Sequence, residues 1–199
     1  MANTSIARGL IPVRYRSGAP YNGGYNTYYI PSTNSTALFI GDPVIAVTAA
    51  ADGNGIPTIT HAAAAGGTYL LGSVVGIVSG GDPSVTRTQD LGVHRAASVA
   101  AYVMVADDPD LLFEIQEDGV GGAMGQAAGS RNADLVSGTG SAYTGYSGWM
   151  LDSSTLQTTN TLQLRILRAV ERADNDPTLT VAKWLVSINL HSHRNLTGI

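Results

Sequence analysis

Alternation of apolar and polar residues with a period of two is the dominant pattern of this chain, and it predicts β-strands. In LLFEIQ, residues 111–116, the leucine, phenylalanine and isoleucine at every second position share one face. AKWLVSINLH, residues 182–191, alternates from an inward Trp184 to an outward His191 and predicts a closing strand. SVAAYVMVA, residues 98–106, is almost uninterrupted apolar sequence, which is typical of a strand buried on both faces.

Turn signals divide these segments into short elements. ADGNGIP at 51–57, GGDPSV at 80–85 and ADNDP at 173–177 combine the residues that favour tight turns. Gly-Asp-Pro at 41–43 interrupts an apolar run and predicts a bulge or corner, because proline cannot donate to a strand ladder. TLQLRILRAV at 161–170 fits a helical face as well as a strand, but the alternation in its first half favours a strand.

Two segments lack this alternation and set the predicted domain organisation. Residues 1–36 are rich in Tyr, Asn, Gly and Pro and predict an extended N-terminal arm. Its five tyrosines indicate that the arm wraps its own domain or reaches a neighbouring subunit. Residues 37–199 are then one β-rich domain, in which 119–160 forms a long Gly/Ser-rich excursion. We expect an all-β fold, either a β-barrel or a jelly-roll-like sandwich.

Composition narrows the function classes. The chain has a net charge of −4 and a single lysine, and its arginines form only two loose sets, Arg14 with Arg16 and a second set from Arg165 to Arg172. A nucleic-acid binder normally carries a basic stripe, and the sequence shows none. We therefore expect no nucleic-acid partner. Cysteine is absent, and no apolar run is long enough to span a bilayer. We therefore expect no membrane partner and no thiol chemistry, in a protein made in a reducing cytoplasm.

The most charged stretch is ADDPDLLFEIQEDG, residues 106–119, with six carboxylates in fourteen residues. Its acids do not match the spacing of a calcium-binding loop, because apolar residues fill the middle. A hairpin with acidic turns at both ends and a solvent-facing Glu114 explains the whole stretch. A pair of carboxylates brought together by folding, as in a hydrolase, is the alternative that stays open.

Other candidate motifs fail on spacing. GVGGAMG at 119–125 lacks the glycine spacing of a dinucleotide loop, and GYSGW at 145–149 lacks the last glycine of a nucleophile elbow. His191 and His193 would share one side of a strand, a geometry that zinc can use, but no third ligand follows from spacing. A polar tail is the favoured interpretation. We expect no enzymatic activity, no metal and no cofactor.

Several segments together resemble the capsid decoration, or cement, proteins of tailed bacteriophages. The most specific are VADDPDLLFEIQED at 105–118 and LDSSTLQTTNTLQLRIL at 151–167, and the likeness extends over nearly the whole chain. GLIPVRYRSGAPYNGGYNTYYIP at 9–31 and AKWLVSINLH belong to it, and residues 41–78 resemble the small β-barrels of other phage cement proteins. The resemblance implies a β-rich protein without an active site that coats a shell of major capsid protein.

This resemblance sets the expected function, partners and location. The protein would bind the outside of the capsid, stabilise capsomer junctions against internal genome pressure, and reside on the virion after assembly in the host cytoplasm. Its partners would be the major capsid protein and itself, as a homodimer or a homotrimer. Arginine and tyrosine are enriched at binding hot spots, so the arm supplies the expected capsid contacts. These are Arg8, Arg14, Tyr15, Arg16, Tyr21, Tyr25, Tyr28 and Tyr29.

A second hypothesis comes from another functional class. Tyr143, Tyr146 and Trp149 lie in the glycine-rich region 119–160 and could stack on a sugar. The chain would then be a virion surface adhesin or glycan-binding module.

Overall fold

The structure, a computed structural model, describes residues 3–48, 52–79 and 90–195 and confirms an all-β fold. The predicted turn at 80–85 lies outside these ranges. The strands are β1 (Ile11–Tyr15), β2 (Asn26–Ile30), β3 (Pro43–Val47), β4 (Thr58–His61), β5 (Gly72–Ser79), β6 (Asp90–Leu91), β7 (Ala101–Ala106), β8 (Leu111–Gln116), β9 (Asn132–Ala133), β10 (Leu135–Val136), β11 (Met150–Leu151), β12 (Leu164–Ala169) and β13 (Lys183–Ile188). Short 3-10 turns occupy Gln126–Ala128, Ser153–Thr155 and Ser192–Arg194.

The strands form two principal sheets. A five-stranded antiparallel sheet has the order β1-β8-β13-β12-β9. A six-stranded sheet has the order β3-β4-β2-β7-β5-β6, and β3 also pairs with β5. Five strands of the second sheet therefore pair in a closed circuit, which we call the strand ring. β10 and β11 pair with each other, and Leu151 of β11 also bridges to Glu117.

Each sheet has its own buried cluster. One cluster draws on all five strands of the ring and includes Ile30, Val44 and Val103. The other lies on the inner face of the five-stranded sheet, where Phe113 and Trp184 are almost completely buried. The second cluster buries large aromatic surface, which makes it a major source of stability.

The predicted hairpin between residues 98–106 and 111–116 does not form. Both segments are strands, but β7 belongs to the six-stranded sheet and β8 to the five-stranded sheet. Asp107 makes the corner between them. Its buried carboxylate accepts hydrogen bonds from Asn26 Nδ2 at 3.0 Å and from the Tyr28 hydroxyl at 2.5 Å. The side-chain alternation within each strand was predicted, but this long-range anchor turns the chain into another sheet.

The predicted arm is also corrected. Its residues 3–36 supply β1 at the edge of the five-stranded sheet and β2 inside the strand ring, between β4 and β7. Tyr28 and Ile30 of β2 are buried in the ring cluster. The segment is therefore an integral part of both sheets, because Tyr28 and Ile30 fill the core of the ring, and Tyr15 and Tyr21 pack against the other cluster.

The glycine-rich region 119–160 packs on its own domain. It contributes β9 to the five-stranded sheet, and Leu135, Trp149 and Leu151 to the cluster beneath that sheet. The predicted excursion is thus the layer that covers the inner face of this sheet.

A buried arginine organises the loops that flank β2 and β7. Arg95 is almost completely buried, and its guanidinium donates to the carbonyl oxygens of Pro31, Asn34, Thr36 and Val99 at 2.6–3.0 Å. Carbonyl oxygens take the place of a carboxylate here, so the charge is solvated by backbone dipoles.

The two sheets meet where two glycines cross. Leu10 N donates to Gly41 O at 2.8 Å, and Gly41 N donates to Val74 O at the same distance. The Ser73 hydroxyl donates to Leu10 O at 2.5 Å. A Cβ at Gly9 would lie 2.1 Å from Gly41 O, so only two glycines allow this approach.

This crossing yields a matched pair of variants. Gly41 and Gly53 have nearly equal φ angles of +93° and +94°, but a Cβ at Gly41 would lie 1.9 Å from Arg8 O, whereas Gly53 faces open space. We expect Gly53→Ala to lower the free energy of unfolding by about 1–2 kcal/mol, the cost of a left-handed residue. Gly41→Ala should cost more than about 3 kcal/mol, because backbone must move. Equal losses in denaturant titrations would contradict the account of the crossing.

Candidate functional site

The outer face of the five-stranded sheet is assembled from alternate positions of its strands. Phe113 and Trp184 point into the core, so their neighbours along each strand point outward. On β8 these are Leu112 and Glu114, which pair across the sheet with Ser187 and Leu185 of β13.

Two β-bulges place arginines on this outer face. The register of β1 shifts between Pro12 and Arg14, and that of β12 shifts between Ile166 and Arg168. Ile11 pairs with the outward Glu114, and Arg14 pairs with the outward Leu112. Both residues therefore face outward although they are three positions apart. In the same way Arg165 and Arg168 both face outward, three residues apart. A regular strand would turn one residue of each such pair into the core.

The result is a basic face on an acidic protein. It carries seven of the eleven Lys and Arg residues of the chain and five carboxylates, for a local charge of +2 against −4 overall. The cations of this basic face are Arg14, Arg16, Arg165, Arg168, Arg172, Lys183 and Arg194. The carboxylates are Asp108, Asp110, Glu114, Glu171 and Asp174.

Ion pairs arrange the arginines across the face. Arg172 donates to both oxygens of Glu114, at 2.9 and 3.1 Å, and lies 3.3 Å from Asp174. The Asp110 carboxylate forms an ion pair with Arg194, and its Oδ1 lies 3.9 Å from Arg16 Nε. These pairs are half-exposed, so each contributes at most about 1 kcal/mol to stability. Their main effect is to fix where the guanidinium groups lie.

Apolar surface lies beneath these charges. Leu112 and Leu185 are buried although neither belongs to a core cluster, and their cross-strand neighbours include Arg14 and Arg168. Arginine stems cover apolar side chains in this way while their head groups stay in water. The basic face thus combines charge with apolar area, as binding surfaces do.

A groove of about 630 Å³ opens on one end of this face. The N-terminal segment, residues 3–10, forms one wall, and Glu114, Arg172 and Lys183 contribute to the other. The segment is held by a hydrogen bond of 2.7 Å from Ile6 N to Gln116 Oε1. Asn3 also exchanges two hydrogen bonds with the backbone of Asp176.

The predicted capsid contacts divide into two groups. Arg14 and Arg16 lie on the basic face, and Arg8 lines the groove beside it. The tyrosines mostly serve the fold: Tyr15 and Tyr21 pack against the cluster under the five-stranded sheet.

The remaining tyrosines of the predicted set lie elsewhere. Tyr28 is buried, and its hydroxyl donates a hydrogen bond to Asp107. Burial and the nearby Asp107 carboxylate raise the pKa of Tyr28. Tyr29 packs against Tyr102, with ring centroids 5.5 Å apart. Tyr25 is exposed. The arginines of β12, and Lys183 on β13, were not predicted as contacts, since only the sheet register brings them to β1.

The acidic stretch is only partly a solvated surface. Asp107 and Glu117, predicted as turn residues, are buried. Glu117 Oε2 accepts a hydrogen bond of 2.9 Å from Trp184 Nε1, and Oε1 has no partner among the described residues. Burial raises the pKa of Glu117 despite the Trp184 hydrogen bond. Glu114, predicted to face solvent, is half-buried under Arg172.

Only one histidine of the predicted polar tail is exposed: His193 faces solvent, whereas His191 is buried. His191 is 1% exposed, and its Nδ1 accepts a hydrogen bond of 3.1 Å from His193 N. Burial, together with the nearby His193 and Arg194, lowers the pKa of His191 to about 4. The ring is therefore neutral at pH 7. Within the described residues no group of three or more metal-ligating side chains is present.

The predicted sugar-binding aromatics are separated by the structure. Tyr143 is 95% exposed and Tyr146 is partly exposed, with the Arg8 guanidinium 5.1 Å from its ring centroid. Trp149 is buried, with its ring centroid 6.2 Å from that of His61. Two of the three aromatics thus remain accessible on the loop 138–148.

Replacing Glu117 tests the effect of its burial. A carboxyl whose folded pKa is raised favours the folded state below its unfolded pKa, and this benefit is lost as pH rises through the folded pKa. We expect the stability of the protein relative to Glu117→Gln to fall as pH rises above 4.5, by at most about 1.4 kcal/mol per pH unit. Denaturant titrations from pH 4 to 8 measure this difference. Parallel stability curves would contradict the shift.

Replacing His191 tests a pH dependence of stability opposite in sign to that of Glu117. A histidine whose folded pKa is depressed contributes stability that is fully present above its unfolded pKa and is lost as pH falls. With folded and unfolded values of about 4 and 6.5, the loss is about 3 kcal/mol across this interval. His191→Asn, whose Oδ1 replaces Nδ1 as acceptor, should remove this loss. His193→Asn, at an exposed position, should retain most of it, because burial is the main cause of the shift, and equal behaviour of the two variants would refute the assignment.

Comparison with known proteins supplies no relative. No family model, no curated protein and no solved structure matches this chain. In the part of the chain that the structure describes, no helix is long and apolar enough to cross a membrane. The functional argument therefore depends on the basic face itself.

Proposed function

We propose that this chain is a structural virion protein that binds the outside of a tailed-phage capsid through its basic face. The observation that carries the proposal is the collection of seven cations on one sheet face of a chain with net charge −4. Their partner is the major capsid protein, at an acidic surface near capsomer junctions. The protein is assembled in the host cytoplasm and resides on the outer surface of the virion.

A sheet face suits this task. The pairing of β1, β8, β13 and β12 presents a broad surface, and broad surfaces can lie across the junction between two capsomers. Specific contacts bury roughly 1,600 Å² in total. Many copies with modest contacts stabilise a shell through avidity, which does not require any single contact to be strong.

The proposal includes a finer description of the fold. We assign the strand ring to the small β-barrels that the resemblance implies. The support is the β3–β5 pairing, which closes the circuit, together with the cluster to which all five ring strands contribute. The five-stranded sheet would then be the part that faces the shell, and the ring would face outward. Self-association as a dimer or trimer is compatible with either arrangement.

A second candidate is a virion surface adhesin or glycan-binding module. The observation that favours it is the pair Tyr143 and Tyr146 on the loop 138–148. The loop is tightly packed, because a Cβ at Gly140 would lie 2.3 Å from the Phe39 ring and one at Gly145 would lie 2.4 Å from Val93 O. An exposed tyrosine on such a loop loses little entropy on binding a sugar.

Co-sedimentation with expanded, undecorated phage shells tests the first proposal. Arg165→Glu reverses an exposed charge on the basic face, and Arg131→Glu reverses a partly buried charge that lies at Leu156 O, on the side of the cluster beneath the sheet. We expect saturable binding that Arg165→Glu weakens roughly tenfold or more, whereas Arg131→Glu changes it by less than about twofold. Melting temperatures of both variants show whether either change disturbs the fold.

The outcomes separate the candidates. Saturable binding that is insensitive to Arg165→Glu would refute the basic face as the contact surface. No binding to shells would refute the cement role. Binding of the purified protein to host cells, lost in Tyr143→Ala, would then support the glycan-binding candidate.

A further inference from the structure

The groove at the end of the basic face contains an unusual lysine. Lys183 is the only lysine of the chain; the residue as a whole is 9% exposed, and its ammonium group is partly buried. Its ammonium group donates one hydrogen bond of 3.3 Å, to Thr4 O, and makes no ion pair with a carboxylate of the described residues. An ammonium has three donors, and burying it without a counter-charge is unfavourable.

We propose that this groove binds an extended acidic segment of a partner chain, with a carboxylate of that segment paired to Lys183. The proposal rests on the proposed function, and it identifies the part of the basic face that recognises the partner. A carboxylate in the groove would supply both the missing counter-charge and the missing hydrogen-bond acceptor.

The other cations of the groove support this assignment. Arg172 already binds Glu114 and Asp174, so those contacts fix its position. Arg8 lies on the groove with its guanidinium near the Tyr146 ring and, like Lys183, makes no ion pair with a described carboxylate. With Glu114 and Asp174 both paired to Arg172, the groove has a net charge of +1, and its cations without an ion pair among the described residues are Lys183 and Arg8. An acidic ligand complements both.

The groove has a fixed wall and a partly apolar lining, which suit a peptide ligand. The N-terminal segment is anchored at both ends, at Asn3 by the backbone of Asp176 and at Leu10 by Gly41. Ile6 and Ile11 line the groove and provide apolar contact for side chains between the acidic ones. A volume of about 630 Å³ lies within the range that protein pockets use for ligands.

The lining argues against a nucleic acid. Single-stranded nucleic acids are bound by aromatic side chains that stack on bases, and none of the residues lining this groove is aromatic.

Fluorescence anisotropy of a labelled peptide tests the assignment on the purified full chain. The probe is a short peptide of alternating glutamate and serine, and its control replaces each glutamate by glutamine. We expect saturable binding of the acidic peptide that weakens as salt is added, and at least tenfold weaker binding of the control. An oligothymidylate that binds more tightly than the acidic peptide would overturn the choice of partner.

Variants locate the binding. Lys183→Met keeps the length of the buried stem and should weaken peptide binding roughly tenfold, whereas Arg131→Gln, at a residue outside the basic face whose guanidinium donates to Leu156 O, should change it less than about twofold. If melting shows that Lys183→Met does not fold, Arg8→Gln at the exposed rim replaces it, with a loss of about threefold or more expected. Equal losses in the groove variant and in Arg131→Gln would overturn the groove assignment.

The shell assay distinguishes the two proposals. Shell binding by a protein that does not bind the peptide would refute the groove assignment and leave the cement role intact. Peptide binding by a protein that does not bind shells would support the groove assignment and refute the cement role.

Discussion

The crossing of Gly9 and Gly41 is the constraint on which the rest of the molecule depends. Two backbones meet there without side chains, and hydrogen bonds from Leu10, Gly41 and Ser73 join the start of β1 to the strand ring. Ser147 N donates to Ile40 O beside it, so the glycine-rich layer meets the same point. The crossing thus positions the N-terminal segment, the edge strand β1 and the loop 138–148 relative to one another.

The basic face follows from this arrangement and from two bulges. Once β1 is fixed beside β8, the bulge before Arg14 turns that residue outward, and the bulge before Arg168 does the same on β12. Few charges are needed for a strong asymmetry, because the chain carries only eleven cations and most of them lie on one surface. Electrostatic asymmetry of this kind orients a protein as it approaches an oppositely charged surface.

Strand identity was predictable from the sequence, but strand partners were not. The segments 111–116, 161–170 and 182–191 contain the strands that their alternation predicted. Alternation carries no information about which sheet a strand joins, so the buried Asp107 corner was mistaken for a hairpin turn. The basic face was missed for the same reason, since its arginines are distant in sequence and meet only through register. Burial of Glu117 likewise depends on Trp184, far along the chain.

Electron cryomicroscopy of phage shells saturated with the purified protein tests the central claim most directly. The account predicts that the five-stranded sheet faces the shell, with density from the major capsid protein against Arg14, Arg165 and Arg168. A decorated shell in which these arginines face solvent, or in which the loop 138–148 contacts the capsid instead, would contradict it.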